Sequence, residues 1–221
     1  MRSIKGGPWL RIYAVADIHG KNDRLQTIRR AIDTYRPDVL VLAGDITGRR
    51  DSLHFINQIN ALPIPVLAIR GNSDPKKIER LIEASPTISS LHMKRVTIEG
   101  VPFIGIGGTL PLPFHSRLCL RERHRIRQLE SLTTRDSVLV VHPPPYGSLD
   151  EVFGWFHAGC GALASFISRV QPRVVICGHI HERRGTTTIG DSYIVNCSIG
   201  RGGAGTLIDC HPTGMETVEL G

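Results

Sequence analysis

The sequence is short of several things, and each shortage excludes a class of protein. No C-x-x-C pair occurs among its five cysteines (Cys119, Cys160, Cys177, Cys197 and Cys210), which are odd in number and widely spaced. That argues against both a disulfide framework and a zinc ribbon, and reads as reduced, mostly buried thiols. Long hydrophobic runs are missing: stretches such as 39–43 and 138–141 fall far below the roughly twenty apolar residues of a membrane helix. The first seven residues lead straight into a strand-like run without an apolar stretch and small-residue cleavage site, so we expect a cytoplasmic protein without a secretory signal. Acidic residues are outnumbered 27 to 20 by Lys and Arg, a formal charge of +7 that favours anionic partners without specifying the anion. Aromatics make up 5%. What is present is ordinary for a globular chain, with 41% hydrophobic and 21% charged residues, and 221 residues at roughly 150 per domain read most simply as one domain over 1–221.

Apolar runs rich in Val, Ile and Leu alternate with helix-like stretches. Strands are expected at 10–16, 38–43 and 64–70, with helices at 21–35, 52–62 and 75–83 between and after them. This is the pattern of repeated βαβ units. Hairpin-like strands around 96–99 and 102–107 suggest that the parallel phase ends there. A basic helix over 116–132, a strand at 137–142, a helix over 156–170, a strand at 173–177 and short strands from 186 to 220 complete an α/β layered sandwich with added hairpins. No internal repeat or low-complexity linker divides the chain.

Five times an apolar strand runs out into a short polar segment: Asp17-Ile18-His19-Gly20, Gly44-Asp45-Ile46-Thr47-Gly48, Gly71-Asn72-Ser73-Asp74, His142-Pro143-Pro144-Pro145 and Gly178-His179-Ile180-His181. The carboxyl ends of strands are where open α/β sheets build sites. On an extended segment, Asp17 and His19 would point the same way, as would His179 and His181. Gly44 and Gly71 would allow close backbone approach before an oxygen ligand. Each segment alone could be a helix cap or an Asx turn. Together they supply carboxylates, an amide oxygen and four imidazoles, too many for one tetrahedral ion and suited to Mn, Fe, Co, Ni or Zn.

In that order and spacing, D-x-H, G-D, G-N-x-D, a lone His and G-H-x-H resemble the calcineurin-like metallophosphoesterase superfamily over roughly residues 10–210. Within it, the His142-Pro143-Pro144 segment, Gly107-Gly108-Thr109 and Gly178 to Glu182 are most similar to the Icc-related predicted phosphoesterases. The resemblance implies a four-layer αββα sandwich of two mixed β-sheets flanked by helices. It also implies two divalent ions, with Mn or Fe favoured. Asp17, His19 and His181 would hold the first, Asn72, His142 and His179 the second, and Asp45 would bridge them. The implied reaction is attack on phosphorus by metal-bound hydroxide, without a covalent intermediate.

The pattern departs from the family at Ser73, where many members carry a histidine thought to protonate the leaving alcohol or orient phosphate. A hydroxyl has the wrong pKa for a general acid near neutrality, so diesters or esters with good leaving groups are expected over alkyl monoesters. We expect Asp45, Asn72 and Asp74, with His115, to carry catalysis, and Asn72, Thr109, His115 and Arg183 to meet the substrate. His54, His92, His124, His157 and His211 have no motif context and read as structural or solvated. Five arginines between 117 and 127 read first as a solvated helix face, with a strip steering nucleic acid as the sharper alternative. The expected substrate is a phosphate-ester small molecule or nucleotide-like compound, with no membrane partner. A nuclease and a weakly active metal-binding scaffold are the alternatives; oligomeric state, natural substrate and metal identity are not encoded legibly.

Overall fold

The computed structural model describes residues 10–48, 51–108, 119–211 and 214–221, the side chains of 119–124 excepted. In chain order the elements are β1 (Leu10–Val15), α1 (Asn22–Tyr35), β2 (Val39–Ala43), α2 (Ser52–Asn60), β3 (Val66–Ile69), α3 (Lys77–Glu83), β4 (Ile88–Ser90), β5 (Arg95–Ile98), β6 (Val101–Ile106), α4 (Cys119–Glu130) and β7 (Val138–Val141). There follow β8 (Glu151–Val152), β9 (Phe156–His157), α5 (Gly161–Val170), β10 (Val174–Cys177), β11 (Gly185–Ile189), β12 (Ser192–Asn196), β13 (Thr206–His211) and β14 (Gly214–Glu219), with a short 3-10 turn at Gly200–Gly202.

The strands form two six-stranded mixed sheets. The first has the order β14-β13-β1-β2-β3-β4, with β1 to β4 parallel and β13 antiparallel to β1. The second has the order β11-β12-β10-β7-β6-β5; its four inner strands run parallel and its two edge strands antiparallel. Parallel pairing therefore resumes after the β5–β6 hairpin instead of ending there. The reason is that α4 and α5 supply the crossovers that parallel neighbours need.

Central strands such as β2 and β7 are buried along their whole length, as strands covered on both faces must be. One set of alternating side chains, including Ile12, Val41, Phe103, Val140 and Ile176, fills the space between the sheets. The other set of the first sheet, including Tyr13, Leu40 and Leu42, packs with Leu25, Ile28 and Ile32 of α1 and Phe55 and Ile56 of α2. On the far side, Leu139 and Val175 pack with Ile126 and Leu129 of α4 and Leu163, Phe166 and Ile167 of α5. The result is the four-layer αββα sandwich.

Helices α1 and α5 stop in the same way. Arg36 and Gln171 take left-handed backbone at φ 51° and 53°, each followed by a proline that cannot continue the helix. The expected helix over 156–170 begins only at Gly161: Phe156–His157 instead pairs with Glu151–Val152 in a two-stranded ribbon. Cys160 caps α5, its Sγ accepting from the Leu163 N–H at 3.2 Å.

Candidate metal centre

The ends of β1, β2, β3, β7 and β10 converge where the two sheets meet. Ala16, just past β1 of the first sheet, forms a parallel bridge with Ser198, just past β12 of the second. Backbone hydrogen bonds knit the loops together: Asp17 N–H donates to Gly44 O at 3.1 Å, His19 N–H to Asp45 O at 2.8 Å and Gly178 N–H to His142 O at 2.9 Å. Asp17, His19, Asp45 and His179 are all left-handed, with φ of 63°, 54°, 51° and 70°. The expectation of extended D-x-H and H-x-H segments is thus corrected: these are tight turns. Strain of about 1–3 kcal/mol per such residue persists only where neighbouring structure enforces it.

Two glycines are required by this crowding. Gly44 has φ 94°, and a Cβ there would lie 2.6 Å from His142 Nδ1. A Cβ at Gly71 would collide with the Asp45 backbone nitrogen and carboxylate.

Each buried carboxylate is tied by one oxygen and offers the other. Asp17 Oδ2 accepts from His179 N–H at 2.9 Å, while Oδ1 faces His181 Nε2 at 3.4 Å and His142 Nε2 at 3.9 Å. Asp45 Oδ1 accepts from Ser73 N–H at 2.8 Å, while Oδ2 faces His142 Nε2 at 3.5 Å and His19 Nε2 at 3.8 Å. Asp17 Oδ1 and His142 Nε2 are buried without a hydrogen-bond partner among the described residues. Buried polar atoms are rarely left so, and separations of 3.4–3.9 Å are those of ligands sharing an ion held at about 2.0–2.2 Å. Asp17, His19 and His181 form one group able to hold a metal, and Asp17, Asp45 and His142 another. The imidazoles pair in the same sense, with ring centroids 5.8 Å apart for His19 and His181 and 5.1 Å for His142 and His179.

The electrostatics suit cation binding. Burial opposes ionisation of Asp17 and Asp45, but His181 and His142 beside Asp17, and His142 with the Ser73 N–H beside Asp45, hold both below the usual carboxylate range. Burial alone would keep His142 neutral; Asp45 and Asp17 override it and raise the imidazole to about 9. His179 is pulled down to about 4 by burial and by His142, leaving a neutral ring. His142 Nδ1 lies 2.8 Å from Ala43 O, an acceptor only, so Nδ1 carries hydrogen and Nε2 is the nitrogen that could ligate a metal.

The other expected site residues sit as follows. Asn72 is exposed and its amide donates to Ser73 Oγ at 3.4 Å. Asp74 lies beneath the loops, accepting from Ile46, Thr47 and Gly71 N–H at 3.0, 2.8 and 2.9 Å and from Thr47 Oγ1 at 3.1 Å. Burial raises its pKa against those donors. The Arg183 guanidinium pairs with Glu151. Thr109, His115 and Arg117 lie outside the described residues. Arg125 and Arg127 are exposed on α4, while Ile126 and Leu129 pack inward. Asn196, the last residue of β12, is fully buried. Its amide donates to Ile180 O at 2.8 Å and Arg183 O at 3.0 Å, fixing the loop that carries His179 and His181. The only sequence signal for it was its place at a sixth strand end.

An αββα sandwich with carboxylates and imidazoles at the strand ends of both sheets defines the class of the metallophosphoesterases. The chain belongs to the calcineurin-like phosphoesterase family, whose family model matches residues 10–183. Membership places it among phosphoester hydrolases that use divalent metals. It is 41% identical to human metallophosphoesterase domain-containing protein 1 over 232 residues, covering 86% of this chain and 66% of that one. An uncharacterized protein of Methanocaldococcus jannaschii is 29% identical over 199 residues, 86% of this chain and 88% of the relative. A dimetal phosphatase from Danio rerio shares the fold, with a TM-score of 0.67 at 13% identity over 97% of this chain and 96% of that one. No helix among the described residues is long and apolar enough to cross a membrane.

Proposed function

We propose that the chain is a dinuclear-metal phosphodiesterase. The observation that carries this is the pair of tethered carboxylates: each spends one oxygen on a backbone N–H and turns the other towards imidazoles of both pairs. Asp45, whose Oδ2 faces both His142 and His19, would serve both ions. Asp17, His19 and His181 would hold one ion, and His142, His179 and Asn72 the other, Asn72 by a rotation of its exposed side chain. Such ions lower the pKa of bound water and neutralise phosphate charge.

The chain's own residues supply the rest. Asp74 positions the Asp45 and Asn72 loops through four hydrogen bonds. Thr109 and His115 would meet the substrate from the segment that starts after Gly108, whose N–H donates to Arg70 O at 2.7 Å, two residues before Asn72. Arg183, engaged by Glu151, would orient the rim. Preference for diesters follows from Ser73, which places no imidazole beside Asn72.

Hydrolysis of bis-p-nitrophenyl phosphate against p-nitrophenyl phosphate by the Mn-reconstituted protein, with Asp45→Ala beside the wild type, tests the reading. Diester turnover that disappears with Asp45→Ala is the expected result. Monoester preference would remove the diesterase assignment, and cleavage of DNA under the same metal would shift it to a nuclease. Silence on every ester with metal bound would leave the scaffold.

A further inference from the structure

Outside the metal cluster, the ribbon of β8 and β9 carries a second acid–imidazole arrangement. Asp150 is 1% exposed; its Oδ1 lies 2.8 Å from His157 Nδ1 and its Oδ2 accepts from Gly159 N–H at 3.0 Å. A carboxylate can only accept, so Nδ1 carries hydrogen and Nε2 has no hydrogen-bond partner among the described residues. The His157 side chain is 40% exposed, so this nitrogen is reachable while the ring is held from behind. A buried acid orienting an accessible imidazole is how a proton-transfer histidine is built.

Its position follows from its contacts. His157 sits directly opposite Glu151 in the ribbon, and Glu151 pairs with Arg183, two residues beyond His181. The His157 ring is 5.4 Å from that of Tyr146, four residues beyond His142. His157 thus lies on a ribbon that Tyr146 and the Glu151–Arg183 pair link to the segments leaving two cluster histidines, one from each imidazole pair. Among the described residues, the titratable groups against its ring are Asp150 and Tyr146, with Glu151 opposite it in the ribbon. The family's imidazole position is meanwhile filled by Ser73.

We propose that His157, oriented by Asp150, is the proton donor to the leaving oxygen; this rests on the hydrolase reading above. A water oxygen, its proton already lost to solvent, forms a new bond to phosphorus as the bond to the leaving oxygen breaks. The electron pair of the broken bond stays on the leaving oxygen, which takes the proton from Nε2 of protonated His157. The neutral imidazole is reprotonated from solvent.

The test compares wild type, His157→Gln and Asp150→Asn, each reconstituted with Mn. The two diesters are bis-p-nitrophenyl phosphate, whose phenolate leaves unaided, and adenosine 2′,3′-cyclic phosphate, whose alkoxide needs a proton. A general acid contributes on the order of 10²–10⁴-fold. His157→Gln should therefore cut kcat on the cyclic ester at least about thirtyfold more than on the aryl ester, and erase the alkaline limb of its pH profile. Asp150→Asn should give a smaller loss of the same selectivity. Long-range ¹H–¹⁵N spectra of the metal-free wild type should show His157 as the Nδ1–H tautomer, with Asp150→Asn altering it. Equal losses on both esters, no loss, a thermal-stability drop that accounts for the loss, or a mixed tautomer in the wild type would each overturn the assignment. So would a wild type confined to aryl esters. A wild type idle on both esters would instead sink the hydrolase reading.

Discussion

His142 shows how much chemistry one buried residue can hold. In the metal-free chain its folded pKa of about 9 lies above the ordinary 6.5, so the stability contributed by its charge is fully present below pH 6.5 and is lost as pH rises through 9. A metal needs the Nε2 lone pair, so binding must expel that proton. Mn affinity should then fall about tenfold per pH unit below 9, with one proton released per ion at this position. Calorimetry at pH 6.5 and 8.5 in buffers of different ionisation enthalpy measures both; equal affinities would refute the coupling. At this scale the residues of the two candidate metal-binding groups, Asp17, His19, Asp45, His142 and His181, were legible because they all follow apolar runs. The Asp150–His157 pair was not, since nothing in the linear order of 150 and 157 shows that one is buried and the other faces it across a ribbon.

At the scale of elements, Asp74 holds two strand ends in register with one carboxylate. Removing it leaves the Ile46, Thr47 and Gly71 N–H groups without their acceptor. Buried unsatisfied groups cost roughly 1–3 kcal/mol each, and partial relaxation should leave a net loss of about 3 kcal/mol for Asp74→Ala. At about 2–4 °C per kcal/mol for a chain of this length, Tm should drop by roughly 6–12 °C. Differential scanning calorimetry reads it; a Tm within a degree of wild type would show the loops to be held otherwise. Strands such as Val39–Ala43 were legible because burial on both faces demands unbroken apolar runs. The β8–β9 ribbon was misread as the start of a helix, since its two-residue strands carry no periodicity, and only the glycines at 154, 159 and 161 hinted at a break. Strand β4 was missed because Ile88-Ser89-Ser90 contains one apolar residue.

For the whole molecule, the proposed ligands would matter because they come from both sheets: Asp17, Asp45 and Asn72 from the first, His142, His179 and His181 from the second. Ions bound there would tie one half of the sandwich to the other and should stabilise the native state by mass action. Free metal at a hundredfold over Kd corresponds to about 2.7 kcal/mol per site and about 5.4 kcal/mol for two, so chelation of both ions should lower Tm by roughly 11–22 °C. Thermal melts with Mn and with a chelator check this, and coincident melts would show that the cluster holds no ion in solution. The layering was legible from the alternation of elements, but which strands lie side by side was not. The pairing of β1 with β13, reinforced by Arg11 and Asp209 at 2.7 Å, joins residues almost the full chain apart. That pairing has a consequence for the order of synthesis. While the chain is still being made, β1 has only β2 as a neighbour, and the edge that β13 will cover stays open until residues 206–211 emerge. The candidate metal-binding group of Asp17, His19 and His181 is likewise incomplete until residue 181 has been added. Strands β1 to β4 must therefore wait on the ribosome with an unpaired edge, and the arrival of β13 closes both that edge and the risk of association with other nascent chains.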